Sequence, residues 1–257
     1  MKKTVLNLIL LFITAISQSQ TGRITYFSDS HADIKVTSDM SPAQRKVLAD
    51  MLRKQFEKNY VLEFSGNTSV YYEKPELEEN TNPNIRITII DGSSGKLYKS
   101  ISEKRYVKTD ESTGKRFLIS DELPEFKWKL IDSTKQIAGY TCKKAEYLKE
   151  EFNENDSLIK TTVSVWYAPE LPVSNGPNNL WGLPGMILEV HEGKLLIKAE
   201  KIELNTKGIK IKEPEKGKRV SQKEFDKIKK EHTKKMIEMY KGGRKKDNGN
   251  TIKIEIN

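Results

Sequence analysis

The chain has 257 residues, a formal charge of +9, and 36% hydrophobic against 32% charged residues. That length builds one large β-rich domain or two small ones. Lysines are interspersed with glutamates, so the charge describes a solvated surface rather than a nucleic-acid face, and the single cysteine, Cys142, excludes an internal disulfide.

Residues 1–19 have the layout of an export signal. Lys2 and Lys3 make a positive start, and Val5 to Ile16 an apolar run. Ala15-Ile16-Ser17 or Ser17-Gln18-Ser19 supplies small residues for cleavage. The run is well short of the roughly 20 residues a membrane-spanning helix needs. Cleavage would remove two lysines and lower the charge from +9 to +7. No cysteine lies near the cleavage region to carry a lipid anchor. The expectation is a soluble periplasmic or secreted domain over residues 20–257, for which nucleic acid is not a partner.

Gly22 to Phe27 predicts a first strand, with Ile24 and either Tyr26 or Phe27 inward. Ser41-Pro42-Ala43-Gln44 predicts a helix start, with Ser41 as N-cap, Pro42 first in the helix and Gln44 closing a capping box. Val47, Leu48, Met51, Leu52, Gln55 and Phe56 continue the stripe to about Lys58. Short half-apolar runs then alternate with turns at Ser65 to Thr68, Asp91 to Gly95, Asp110 to Gly114 and Glu192-Gly193. Pro75 to Asn84 reads as an acidic loop. Such regular spacing without intervening helices predicts an antiparallel meander.

Tyr140, Cys142, Ala145 and Tyr147 do not alternate. A bulge at Lys143-Lys144 would turn all four inward and bend the strand. The long connection from Ala168 to Trp181 carries three prolines, and loops of that length commonly cover or form a site. Ser221-Gln222-Lys223-Glu224 is a second capping box, followed by a stripe of Phe225, Ile228, His232, Met236 and Met239.

Trp181-Gly182-Leu183-Pro184-Gly185-Met186 leads into the apolar run Met186 to Val190. Pro184 and Gly185 suit the two central positions of a type II turn, and the run suits a strand covered on both faces. Gly182 to Ile187 resembles the signature of the GLPGLI family of exported bacterial proteins, as do Gly139 to Ala145 and Val165 to Pro169. That family has no established activity. The meander, the bulge and the two helices predict a mainly β fold: one curved antiparallel half-barrel sheet with two amphipathic helices packed on it. It is similar to the half-barrel of periplasmic lipoprotein carriers.

Elements of chemistry are sparse in the sequence. Asp91 to Lys96 has two residues between its glycines where a phosphate loop has four. His31, His191 and His232 lack metal-ligand spacing, and no nucleophile elbow is present. The adjacent carboxylates Asp121-Glu122 and Glu150-Glu151 would face opposite sides of a strand or lie in a loop. Cys142 reads as a buried apolar residue. The C-terminal lysines, mixed with Glu224, Asp226, Glu231 and Glu238, read as a solvated helix face. No catalytic residue, metal or cofactor is expected.

Trp181, Gly182, Leu183, Pro184, Gly185 and Met186 then either plug the rim of the core or line a cleft for an apolar ligand, a lipid or a hydrophobic peptide. Gly139, Tyr140, Cys142 and Ala145 are structural. The leading expectation is a non-enzymatic binding or envelope-assembly protein with an apolar ligand or an envelope-protein partner. A hydrolase assembled from distant loops and a purely structural interaction protein are the alternatives.

Overall fold

A computed structural model describes residues 20–31, 34–37, 41–54, 56–75, 95–112, 114–152, 157–242 and 253–256. Residues 1–19, read as an export signal, lie outside them, as do residues 76–94 with most of the expected acidic loop and the start of the Asp91 to Gly95 turn, Gly243, and the side chain of Met239.

In chain order the elements are β1 (Thr21–Asp29), β2 (Ile34–Thr37), α1 (Pro42–Lys54), β3 (Glu57–Ser65), β4 (Thr68–Glu73), β5 (Leu97–Ser100), β6 (Arg105–Ser112) and β7 (Lys115–Glu122). There follow β8 (Lys129–Ile137), β9 (Tyr140–Phe152), β10 (Leu158–Ala168), β11 (Met186–Glu192), β12 (Leu195–Leu204), β13 (Lys218–Val220), α2 (Gln222–Gly242) and β14 (Lys253–Ile256). β2 and β14 pair with each other, and the remaining 12 strands form one sheet, ordered β13-β7-β6-β5-β4-β3-β1-β12-β11-β10-β9-β8. Its pairs are antiparallel except β13 with β7. Two meanders, β3 to β7 and β8 to β12, flank β1, whose buried positions alternate strictly and include Ile24 and Tyr26.

Chain length proves that this sheet curls. β7 ends at Glu122 and β8 begins at Lys129, so seven backbone steps join strands ten spacings apart. Those steps reach at most about 25 Å, whereas ten spacings on a flat sheet cover about 48 Å. The two margins must therefore approach each other. The fold is the expected one: mainly β, a single open, curved sheet with two helices.

The helices do not fill the curl. In α1 the capping box forms, with the Ser41 N–H donating to Gln44 Oε1 at 3.0 Å, and Leu48 and Leu52 are buried. Val47, expected on that stripe, is 60% exposed, and the helix ends at Lys54 rather than near Lys58. α1 packs on β2 and β3. α2 packs on β6 and β7, with the Phe225 ring 5.4 Å from that of Phe117. Its described lysines are exposed. Asp121, at the end of β7, accepts the Gln222 N–H at 3.1 Å and so helps cap the helix.

What fills the interior is the 169–185 loop. Leu171, Val173, Leu180 and Leu183 join one core cluster with Ile24, Leu62, Tyr71 and Phe117 from across the sheet. Two stretches of the loop are bonded to the far wall, as buried polar groups generally are, although Asn179 Oδ1 is buried without a partner among the described residues. Asn175 donates to Ser69 Oγ of β4 at 2.9 Å. Lys99 of β5, fully buried, donates to the carbonyls of Gly176 at 2.6 Å and Leu180 at 3.3 Å. β5 and β10 are six spacings apart in the sheet, so these bonds cross the interior.

In β9, Cys142 and Ala145 are fully buried in that core, and Tyr140 and Tyr147 pack against it, as the sequence implies. The extra residues of the bulge are on the neighbouring strand, however. Asp132 and Ser133 of β8 have no partner opposite the Lys143-Lys144 step. A second irregularity, between Trp166 and Tyr167, leaves Leu188 of β11 as the extra residue.

Candidate functional site

Pro184 and Gly185 form a different turn from the one expected. A type II turn needs positive φ at Gly185, but the glycine with positive φ here is Gly182, at 93°. The Gly185 N–H donates to Leu183 O at 2.8 Å, a three-residue γ-turn centred on Pro184. Gly185 is required for space rather than for φ. A Cβ there would lie 2.3 Å from Ala168 O, where the backbones at the two ends of the loop meet. Leu183 and Met186 are buried in the core, and Pro184 is exposed.

Trp181 is half-buried and bonded at both ends. Its indole N–H donates to Pro124 O at 2.7 Å, and its carbonyl accepts the indole N–H of Trp128 at 3.0 Å. Residues 123–128 are the connector between the sheet margins, so the two indoles tie loop to connector. Gly182 lies under Trp128, where a Cβ would approach Nε1 to 3.4 Å.

Beside this tie opens a cleft of about 820 Å³. Its walls are Pro124–Lys127 of the connector, Tyr147–Glu150 of β9, Asn178–Leu180 of the loop, and Val190, Glu192, Leu195 and Ile197 of the sheet. Phe126, Trp128 and Tyr147 form a ring cluster at one wall, with centroids 4.8 to 5.3 Å apart, a spacing at which aromatic rings attract. Lys149 at the rim is held by Glu192 at 2.6 Å and Glu151 at 2.8 Å. None of Trp181 to Met186 lines the cleft. The signature residues frame it, by fixing the loop whose Leu180 is one of its walls.

Phe126 and Trp128 are not marked in the sequence, and Tyr147 is readable there only as an inward-facing residue, because a ring cluster between a connector and a strand has no local pattern. Glu189 is a second residue that sequence reasoning missed. One carboxylate in the apolar run Met186 to Val190 is the available signal. Burial pushes the Glu189 carboxyl up, but hydrogen bonds from Lys135 and His191 outweigh it and hold the group below the ordinary carboxylate range. The Lys135 ammonium also lies 4.4 Å over the Trp166 ring.

His191 and Glu189 do converge, at 2.5 Å. Ser164 is opposite His191 in the β10–β11 ladder, yet its hydroxyl donates to Glu146 at 2.8 Å. A nucleophile bonded to its base and a set of free oxyanion donors are what acyl chemistry needs. Here the neighbouring main-chain groups belong to the sheet ladder, and His191 Nε2 is hydrogen-bonded to Glu189 while the Ser164 hydroxyl is bonded to Glu146. His31 likewise pairs with Asp29, at 3.0 Å. Burial raises the Cys142 thiol to about 11, which keeps it protonated. Among the described residues no three His, Cys, Asp or Glu side chains are placed to hold a metal, and no helix is long and apolar enough to cross a membrane.

The molecule is thus a curled antiparallel sheet wrapped on its own loop, with a half-apolar cleft where loop and sheet margin meet. Residues 149–189, which include the signature hexapeptide, match the model of a family described as a protein of unknown function, Porph_ging. No curated protein matches. Among solved structures the chain is similar to PNGF-II in two crystal forms. One has 16% identity and a TM-score of 0.50, covering 82% of this chain and 33% of that one. The other has 14% identity and a TM-score of 0.49, covering 82% and 32%. The chain spans about a third of the length of PNGF-II, and at this identity the likeness concerns the fold alone.

Proposed function

We propose that this is an exported, non-enzymatic binding protein that holds an apolar, extended ligand in the cleft beside Trp181. The cleft itself carries the reading. It has the volume of a small-molecule or peptide site, and Phe126, Tyr147, Leu180, Val190 and Ile197 give it apolar walls. The signal-like residues 1–19 and the GLPGLI-like hexapeptide support export and an envelope role. The loop occupies the interior, so a ligand has the cleft available and not the whole concave face.

The test is a fluorescent C16 fatty acid titrated into the purified mature protein, with mass spectrometry of a lipid extract beside it. Saturable binding that falls at least tenfold in Leu195→Glu, at a half-buried wall position, with the melting temperature kept, supports the reading. No uptake of this probe or of an apolar peptide, with an empty extract, ends it.

A further inference from the structure

The cleft beside Trp181 is apolar on its walls and charged at its rim. Its charged lining residues are Glu125, Lys127, Lys149, Glu150 and Glu192. Three carboxylates against two ammonium groups would by themselves favour a cation. The ion pairs reverse that preference. Lys149 is held between Glu192 at 2.6 Å and Glu151 at 2.8 Å. Glu150 is paired with Lys160 at 2.7 Å, and Glu125 with Lys104 at 3.3 Å. All three lining carboxylates are thereby engaged.

Lys127 differs from the other four. Its side chain is exposed and has no ion pair or hydrogen bond among the described residues. Its place is nevertheless fixed. Pro124 and Trp128, on either side of it in the connector, are the two residues bonded to Trp181. A cation without a counterpart is thus held at the mouth of an apolar cleft. Asn179 Oδ1, the buried polar atom left unpartnered on the loop side, is closed to solvent and so is not offered to a ligand at the mouth.

We propose that the ligand is an apolar chain ending in a carboxylate, with the chain along the cleft walls and the carboxylate at the mouth against the Lys127 ammonium. The inference rests on the cleft being a binding site, and it selects the head group of what binds there. An alkylammonium head would meet Lys127 as a like charge, while the carboxylates that could offset the repulsion are already paired. A carboxylate at the mouth stays partly hydrated, so the pair forms without the cost of burying two charges. An ion pair in that setting changes affinity by up to about fivefold. The walls therefore hold the chain, and Lys127 chooses among chains that the walls would hold equally. A fatty acid and the C-terminal end of an apolar peptide both present this chemistry.

The probes come in two pairs: a fluorescent C16 fatty acid with the matching alcohol, and a short acetylated apolar peptide ending in a free carboxylate with its C-terminal amide. Within each pair the chain is shared and the head differs in charge. At neutral pH and low ionic strength the acid should bind about fivefold more tightly than its neutral twin. That preference should vanish in Lys127→Ala and invert in Lys127→Glu, with the neutral twin bound alike by the native protein and both variants. Lys127 is exposed, so both variants should keep the native melting temperature. The pair that binds shows whether the chain is acyl or peptide. Equal affinity for acid and neutral twin, or a preference that survives Lys127→Ala, overturns the inference and leaves the cleft as a neutral apolar site. If no probe binds, both readings fail.

Discussion

The indoles of Trp128 and Trp181 form a relay. Trp128 donates to the carbonyl of Trp181 at 3.0 Å, and Trp181 donates to the carbonyl of Pro124 at 2.7 Å. The relay closes on itself within two short segments, the connector that bridges the sheet margins and the loop that fills the sheet. It lies where the curl would otherwise open.

Replacing either indole by phenylalanine keeps much of the apolar contact and removes one donor. Trp128→Phe and Trp181→Phe should each lose about 1–2 kcal/mol in urea unfolding, with one carbonyl left unpaired in each case. The double variant should lose less than the sum, since the two bonds share one geometry. Strict additivity would mean that the relay does not act as a unit.

Two glycines of the sequence signatures should respond differently to alanine. Gly139 has φ of 87°, and a Cβ at that position would meet nothing within 4 Å, so Gly139→Ala should cost about 1–2 kcal/mol of backbone strain. Gly185→Ala drives a Cβ to 2.3 Å from a backbone oxygen. That contact cannot relax by a rotamer change, so the cost should exceed the Gly139 value severalfold or prevent folding. Thermal melts of the two variants rank them.

Ala138, beside Gly139 in the β8–β9 turn, has φ of 47°. Asparagine tolerates that region better than alanine, and Asn-Gly suits a two-residue hairpin with both central residues at positive φ. Ala138→Asn should stabilise the protein by roughly 0.5–1 kcal/mol and raise its melting temperature.

Lys99 makes stability depend on pH. Burial lowers its ammonium from 10.5 to about 7 in the folded protein. Between those two values the unfolded chain holds the proton and the folded chain does not. Stability from this group therefore rises with pH from about 7 to 10.5 and is flat below. Lys99→Met should abolish that rise, a difference on the order of a few kcal/mol between its ends. Urea midpoints of both proteins at pH 6, 8 and 10 measure it, and parallel curves would contradict it.

Much of the architecture is legible in the chain because it is written in local rules. The alternation of β1, the turn residues between strands and both Ser-led capping boxes depend on neighbours a few positions away. The structure shows them at Ile24, at Ser41 and at Ser221, whose N–H donates to Glu224 at 2.8 Å. Cys142 and Ala145 are also readable as one inward set, because their spacing breaks strand parity.

The site obeys no such rule. Pro184-Gly185 suggests a type II turn because residue preference reports allowed φ, while the real demand on Gly185 is the passage of Ala168, seventeen positions earlier. Phe126 meets Tyr147, and Lys99 meets Gly176, only because the sheet curls. Sequence alone determined the alternation of β1 and the starts of both helices, since backbone sterics and side-chain period act over a few residues, whereas β2, in a polar, turn-rich stretch, and β13 take their strand form from distant partners, β14 and β7. Tertiary structure alone decided that the loop, rather than a helix or a ligand, fills the curl, because that outcome depends on which distant apolar surfaces and buried polar groups satisfy one another.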